Sequence, residues 1–400
     1  MSRPFILSLI LAVGATVVFT QAFGVLAPQR DRGDASTRRA PGDTKPFPVE
    51  TASKIDTEKL AWESVEAEKE TAPLSSVINA EAKLTISSTT IESPAAEGQD
   101  ESASEKRKLA QSTQSLYPYD PIPFGVLNAT SREALVNVFC NTLAGAPISG
   151  SGVIIDPRGI ILTNAHVAQF VLLADSGQVN LSCVIRTGSP AFEKWRAEVV
   201  YMPLSWARDN ADKLRAIQPT GTGERDFALL AIISDIDGKT ATGPFNYLSP
   251  DTRANILSEA DTVLAASYPS GFLGEIATYQ SLYPASSITT IEDVFTFTET
   301  TVDLVSLGGI ILAQTGSSGG AVVNNWGRLA GLIVTARNAE TTSERDLRAL
   351  TMEHIDRVLF AEENTTLEKF LSQSVPVIME NFAANNREEL LGAFLDAIRD

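Results

Sequence analysis

The chain has 400 residues, enough for one large or two ordinary domains. Its formal net charge of −17 argues against nucleic acid or an anionic membrane surface as a partner, because a phosphate-rich partner needs clustered Lys and Arg. With two histidines and two cysteines the ligands for a His-bound metal are lacking, and no cofactor is called for.

In chain order, Arg3 precedes an uncharged, mostly apolar run from Pro4 to Pro28, the pattern of an export signal. Thr20 and Ala22 offer a weak cleavage site, but the run also matches the roughly 20 apolar residues that cross a bilayer. Residues 1–28 are therefore expected to be a cleaved signal peptide or a retained signal-anchor. Either reading puts the remainder outside the cytoplasm, secreted or tethered through residues 4–28. Residues 29–115 are rich in Ala, Glu, Ser, Thr and Pro and nearly empty of aromatics. They are expected to form a disordered stalk that cannot bury enough apolar surface to offset its ordering entropy.

From about Tyr117 the texture changes to short β-branched runs broken by turn residues. Six strands are expected first: Val136–Cys140, Ser151–Asp156, Ile160–Thr163, Val179–Arg186, Ala197–Pro203 and Phe227–Ile233. Between two of them, Asp156-Pro157-Arg158-Gly159 favours a type I turn. A second group follows: Thr262–Tyr268, Thr278–Ile291, Phe295–Thr300, Ile310–Thr315, Ala321–Asn324, Leu329–Ala336 and Leu347–Thr351. Two such groups predict an all-β domain over 116–365, made of two six-stranded antiparallel barrels at about 132–240 and 255–352. Helix is expected near the end, capped by Thr351 and continuing through a C-terminal segment over 366–400, with an amphipathic stretch from Asn386 to Arg399.

Three strings carry chemistry. Ser149-Gly150-Ser151-Gly152-Val153-Ile154-Ile155 leads to Ile161-Leu162-Thr163-Asn164-Ala165-His166-Val167. Asp226 opens Asp226-Phe227-Ala228-Leu229-Leu230. The third is Gly316-Ser317-Ser318-Gly319-Gly320-Ala321-Val322. Acyl transfer by a serine needs a neutral imidazole to take the hydroxyl proton. It also needs a carboxylate to fix the imidazole tautomer and N–H groups that converge on the oxyanion. His166, Asp226 and Ser318 supply the first three groups. Gly316 can take backbone angles closed to other residues, so its N–H and that of Ser318 can form the oxyanion hole.

On these strings the chain resembles the trypsin/chymotrypsin-type serine peptidase superfamily, in its bacterial branch near the HtrA/Deg proteases, over roughly residues 136–360. The resemblance implies a chymotrypsin-like fold, with His166 as base, Asp226 as orienting acid and Ser318 as nucleophile in a cleft between the barrels. By the same analogy Leu312, Thr315, Val334, Thr335 and Ala336 line the S1 pocket. None is acidic, so a small or aliphatic P1 residue is expected rather than Lys or Arg; Arg345 and Arg348 near the opposite wall leave an acidic P1 open. Ser317 and Ala321 depart from the family's usual Asn or Asp and Pro, and the chain after the last strand is too short for a PDZ module.

Cys140 and Cys183 fall on strands either side of the His motif. In an oxidising compartment they can form a disulfide; two buried free thiols are the alternative. His354 is expected to be exposed in a helix's first turn. The function implied is endopeptidase action on extracytoplasmic polypeptides, the alternative being a silent or latent protease-fold module that binds a peptide or envelope partner. Nothing in the residues fixes an oligomeric state.

Overall fold

Apolar runs such as Ile160–Thr163 and Leu304–Ser306, buried on both faces, become central strands of two antiparallel sheets. The computed structural model describes residues 116–142, 147–215, 223–271, 273, 275–297, 301–336 and 345–399. The expected export segment and stalk lie outside the described residues. Among those described, no helix is long and apolar enough to cross a membrane.

Strands β1 (Leu135–Thr142), β2 (Ile148–Asp156), β3 (Ile160–Thr163), β4 (Leu181–Thr187), β5 (Phe192–Tyr201) and β6 (Ala228–Asp235) close a barrel in the order β1-β2-β3-β6-β5-β4. The Asp156–Gly159 turn joins β2 to β3, with the Gly159 N–H donating to the Asp156 carbonyl at 2.9 Å. Successive residues on a strand point to opposite faces. One set from the barrel, including Val153, Leu162 and Leu229, shares a core with Leu264, Ala266 and Leu332 of the second sheet. The alternate set, including Val136, Ile154, Ile161 and Leu230, packs with Val171, Leu172, Leu390 and Phe394.

The second sheet comprises β7 (Thr262–Ser267), β8 (Ala285–Thr290), β9 (Asp293–Phe295), β10 (Leu304–Ser306), β11 (Ala321–Val323), β12 (Leu329–Ala336) and β13 (Leu347–Thr351). Their order is β8-β7-β11-β12-β13-β10-β9. The two expected barrels are thus one closed barrel of six strands and one curled half-barrel of seven, with β8 and β9 at its edges.

Helix is more widely spread than the sequence pattern indicates. The described helices are α1 (Phe124–Ala134), α2 (Ala165–Asp175), α3 (Leu204–Asn210), α4 (Glu275–Gln280), α5 (Met352–Glu363), α6 (Leu367–Ser372), α7 (Val375–Asn385) and α8 (Arg387–Arg399). The Thr351 side chain caps α5 by accepting from the His354 N–H. Helix α8 returns to the first barrel, where Phe394 packs near Trp206 at a ring distance of 6.4 Å.

Two expected strands are corrected. Thr278–Ile291 divides into the end of α4 and then β8. Ile310–Thr315 is not a strand. Its backbone bonds turn inward, Ala313 N–H to the Ile310 carbonyl at 2.9 Å and Gln314 N–H to the Leu312 carbonyl at 2.8 Å, so the segment has no ladder to join. The run expected over Phe295–Thr300 is strand only at its start, in β9, and residues 298–300 lie outside the described residues.

Candidate active site

His166 sits in the first turn of α2, immediately after β3. Asn164 precedes that helix without a side-chain cap. Its Nδ2 donates instead to the Asp226 carbonyl at 2.7 Å, tying the His segment to the Asp segment. Asp226 lies just before β6, the strand paired with β3, so sheet register brings residues 60 positions apart into contact. The Asp226 Oδ2 is 2.6 Å from His166 Nδ1, and Oδ1 accepts the His166 backbone N–H at 2.9 Å.

That carboxylate dominates the electrostatics of the imidazole. Burial pulls the His166 pKa down, but the Asp226 charge and hydrogen bond outweigh it, and the net shift is upward from 6.5. A carboxylate on Nδ1 fixes the proton there and leaves Nε2 as the base.

Ser318 lies on the turn just before β11, and several bonds press that turn against the first barrel. The Ser151 N–H on β2 donates to the Ser318 carbonyl at 2.7 Å. Gly319 has φ +86°, and a Cβ there would fall 2.0 Å from the Ser151 carbonyl oxygen and 2.7 Å from Thr163 Oγ1. Only glycine permits this approach. It places Ser318 beside the Thr163–Asn164 segment that leads into His166. The Ser318 hydroxyl makes no hydrogen bond among the described residues.

The two peptide planes flanking Gly316 are both held. The Thr315 carbonyl accepts from the N–H groups of Ser270 at 2.8 Å and Gly271 at 3.0 Å. The Gly316 carbonyl accepts from Ser151 Oγ at 2.7 Å, and Ser151 Oγ in turn accepts the Tyr268 N–H at 2.8 Å. In a trans peptide the N–H points opposite to the carbonyl. Anchoring the Thr315 carbonyl on the Ser270–Gly271 side therefore turns the Gly316 N–H away from that side. Neither that N–H nor the Ser318 N–H has an acceptor among the described residues. Gly316 has φ +89°, and a Cβ there would lie 2.5 Å from Ser270 Oγ. Ser151, fully buried, is a residue for which the sequence reading had no role; its place in the Ser-Gly-Ser-Gly string was the only local signal.

The other predicted residues are distributed as follows. Leu312 and Val334 are buried in cores of the second sheet, while Thr315 is exposed. Thr335 and Ala336 continue β12, and their side chains lie outside the description. Arg345 donates to the Ala313 carbonyl at 2.8 Å, and Arg348 pairs with Asp346 at 2.6 Å while covering the Phe295 ring. Cys140 and Cys183 face each other on β1 and β4 and are joined in a disulfide. Cys183 Sγ lies 3.5 Å from the Phe170 carbonyl of α2. The exposed position expected for His354 is corrected: its relative exposure is 4%, because the first turn of α5 faces Phe297 and the Glu224 carbonyl rather than solvent.

No curated protein matches the chain. Among solved structures it is similar to the active form of the Rv3671c protease of M. tuberculosis, at 17% identity and a TM-score of 0.37, over 62% of this chain and 89% of that one. It is also similar to an inactive serine-to-alanine form of Rv3671c from M. tuberculosis H37Rv, at 18% identity and a TM-score of 0.37, over 62% of this chain and 96% of that one. A family model described as a trypsin-like peptidase domain matches residues 150–332. That span contains His166, Asp226 and Ser318, and in it the chain carries a trypsin-like peptidase domain.

Proposed function

We propose that the chain is a serine endopeptidase acting on extracytoplasmic polypeptides through an acyl-enzyme. The observation that carries this reading is the 2.6 Å contact between Asp226 Oδ2 and His166 Nδ1, on a segment against which the Ser318 turn is pressed. Ser318 Oγ attacks the scissile carbonyl carbon while its proton passes to His166 Nε2. The Nδ1–H keeps its proton and donates to the Asp226 carboxylate, whose charge balances the imidazolium. The oxyanion takes the N–H groups of Gly316 and Ser318. As the tetrahedral intermediate collapses, the C–N bond breaks and the Nε2 proton goes to the leaving amine. Water, losing its proton to His166 Nε2, then attacks the ester carbonyl; the C–Oγ bond breaks and Ser318 Oγ takes that proton back.

The anchored carbonyls of Thr315 and Gly316 favour a ready hole over a latent or purely binding module. The Thr-Asn-Ala-His string supports a place near the HtrA/Deg branch. The uncharged S1 candidates support a small or aliphatic P1 residue. The cystine supports an oxidising, extracytoplasmic setting, with residues 4–28 as signal or tether.

The test is covalent labelling of the purified full chain by a fluorophosphonate probe, beside Ser318→Ala and His166→Ala. Labelling of the wild type that is lost in both variants is the expected result. A folded wild type that is never labelled would leave a latent enzyme or a binding module.

A further inference from the structure

The chain's second histidine stands behind the candidate triad. His354 Nε2 lies 2.6 Å from the backbone carbonyl of Glu224, a residue 130 positions earlier in the chain. A carbonyl only accepts, so Nε2 carries the proton. The other ring nitrogen, Nδ1, has an Arg357 N–H₂ group at 3.3 Å and the Asp303 carboxylate at 3.4 Å. Asp303 is fully buried and accepts from the Phe297 N–H, Thr301 Oγ1 and Arg357. Arg357 also pairs with Glu353 at 3.0 Å. In the neutral Nε2–H tautomer Arg357 donates to Nδ1 and Nε2–H donates to Glu224, while Asp303 has its donors in Phe297, Thr301 and Arg357. Burial, first among the causes, and the Arg357 charge hold the imidazole below its ordinary pKa against the pull of the Glu224 carbonyl and Asp303.

Glu224 is part of the turn that presents Asp226. The Asp226 N–H closes this turn on the Gly223 carbonyl at 3.1 Å, and the Phe227 N–H bonds the Arg225 carbonyl at 2.9 Å. Gly223 takes φ +78° to enter it. The Glu224 carbonyl meets His354 of α5, a helix whose residues Met352, Ile355 and Leu359 are fixed in the core. A rigid element thus holds the turn from one side while His166 and Asn164 hold Asp226 from the other.

We propose that His354 is a positioning residue for Asp226, its Nε2–H on the Glu224 carbonyl fixing the turn from which the carboxylate reaches His166. The inference rests on the peptidase reading for its consequence in catalysis. A displacement of about 1 Å at a catalytic group costs up to about 100-fold in rate. His354→Leu fills the site but cannot donate. His354→Gln keeps an N–H at nearly the same reach.

The experiment measures the second-order rate of fluorophosphonate labelling at Ser318 in the full chain, from pH 5 to 9, with thermal unfolding alongside. His354→Leu should label about 10- to 100-fold more slowly. Its acidic limb should move to lower pH, as His166 loses part of the Asp226 charge that raises its pKa. His354→Gln should stay within about threefold of wild type and keep the limb in place. A folded His354→Leu with wild-type rate and limb overturns the proposal, as does an equal loss in both variants that follows their melting temperatures.

Imidazole ¹⁵N spectra of the wild type read the same claim without a variant. Only two histidines contribute, and neutral His354 should carry its proton on Nε2, whereas an Nδ1–H tautomer overturns the proposal. Failure of the wild type to label overturns the peptidase reading instead, and the tautomer then decides whether His354 holds the turn.

Discussion

Asp226 grips His166 at two atoms, Oδ2 at the ring Nδ1 and Oδ1 at the backbone N–H, at 2.6 and 2.9 Å. The ring and the first turn of α2 are therefore oriented by one carboxylate. Asp226→Asn separates the two functions. Its Oδ1 can still accept the backbone N–H, but its amide presents a donor to Nδ1 and forces the proton onto Nε2, the atom that must act as base. The rate of Ser318 labelling, or of peptide hydrolysis, should fall about 10,000-fold with little loss of folding. A variant within about tenfold of wild type would remove Asp226 from the triad.

The pH profile follows from the same pair. Only the neutral imidazole accepts the Ser318 proton, so activity is lost as pH falls through the His166 pKa. Burial alone would lower that pKa, and the Asp226 charge and hydrogen bond raise it above 6.5 overall. The acidic limb of kcat/KM in the wild type should accordingly have its midpoint above 6.5. In Asp226→Asn, where burial acts without the opposing charge, the residual activity should have its limb below 6.5. A wild-type midpoint under 6 would contradict the geometry of the pair.

Ser151 tests whether the hole is held ready. Its hydroxyl donates to the Gly316 carbonyl and accepts the Tyr268 N–H. Ser151→Ala leaves both of those backbone groups buried without this partner, at a cost of about 1–3 kcal/mol each at most. Losing a hole donor outright costs about 100- to 1,000-fold in kcat; loosening it should cost less, about tenfold, with KM unchanged. A fall in binding with kcat intact would assign Ser151 to substrate contact instead.

The strands and the candidate triad are legible in the sequence for different reasons. Strand β3 and the first five residues of β6 are buried on both faces, so each reads as an apolar run whatever its partners. His166, Asp226 and Ser318 each sit in a short string whose residues serve one local geometry, Gly319 being the clearest case. What stayed illegible depends on distant partners. Ser151 Oγ bonds residues 165 and 117 positions away, and the surroundings of His354 include a carbonyl from the first barrel. Helix α2 was hidden because Val167 and Val171 sit within its Ala- and Leu-rich run. The run Ile310-Ile311-Leu312 has strand composition but pairs with no strand among the described residues, and only the turn bonds reveal it as a loop.

The cystine should contribute to stability rather than to chemistry. Cys140 and Cys183 are 43 residues apart, and closing a loop of that size stabilises by about 4 kcal/mol in the chain-entropy model, with about 2–4 kcal/mol usual in practice. Because β1 and β4 pair throughout this region, a Cys140→Ala/Cys183→Ala chain should keep its fold and still label at Ser318. Its urea midpoint should drop by an amount matching that range. Loss of labelling without loss of fold would show instead that the cystine supports α2 at Phe170.

Tyr117 offers a further stability test, at the point where the described chain enters the domain. Its hydroxyl donates to Asp251 at 2.6 Å and accepts from Asn324 at 2.7 Å. Its ring lies between Trp326, stacked at 4.4 Å, and the Arg253 guanidinium at 4.7 Å. The residue thus pins the entering segment to the β11–β12 turn and to the loop ahead of β7. Tyr117→Phe keeps the stack and removes the hydroxyl, leaving Asp251 with its three bonds from Arg253; unfolding in urea should show a loss of about 1–2 kcal/mol. Tyr117→Ala removes the ring as well and should cost about 3–5 kcal/mol. Since none of these contacts touches His166, Asp226 or Ser318, both variants should label at the wild-type rate wherever they remain folded. A Tyr117→Ala chain as stable as wild type would mean that the segment before α1 contributes nothing to the fold.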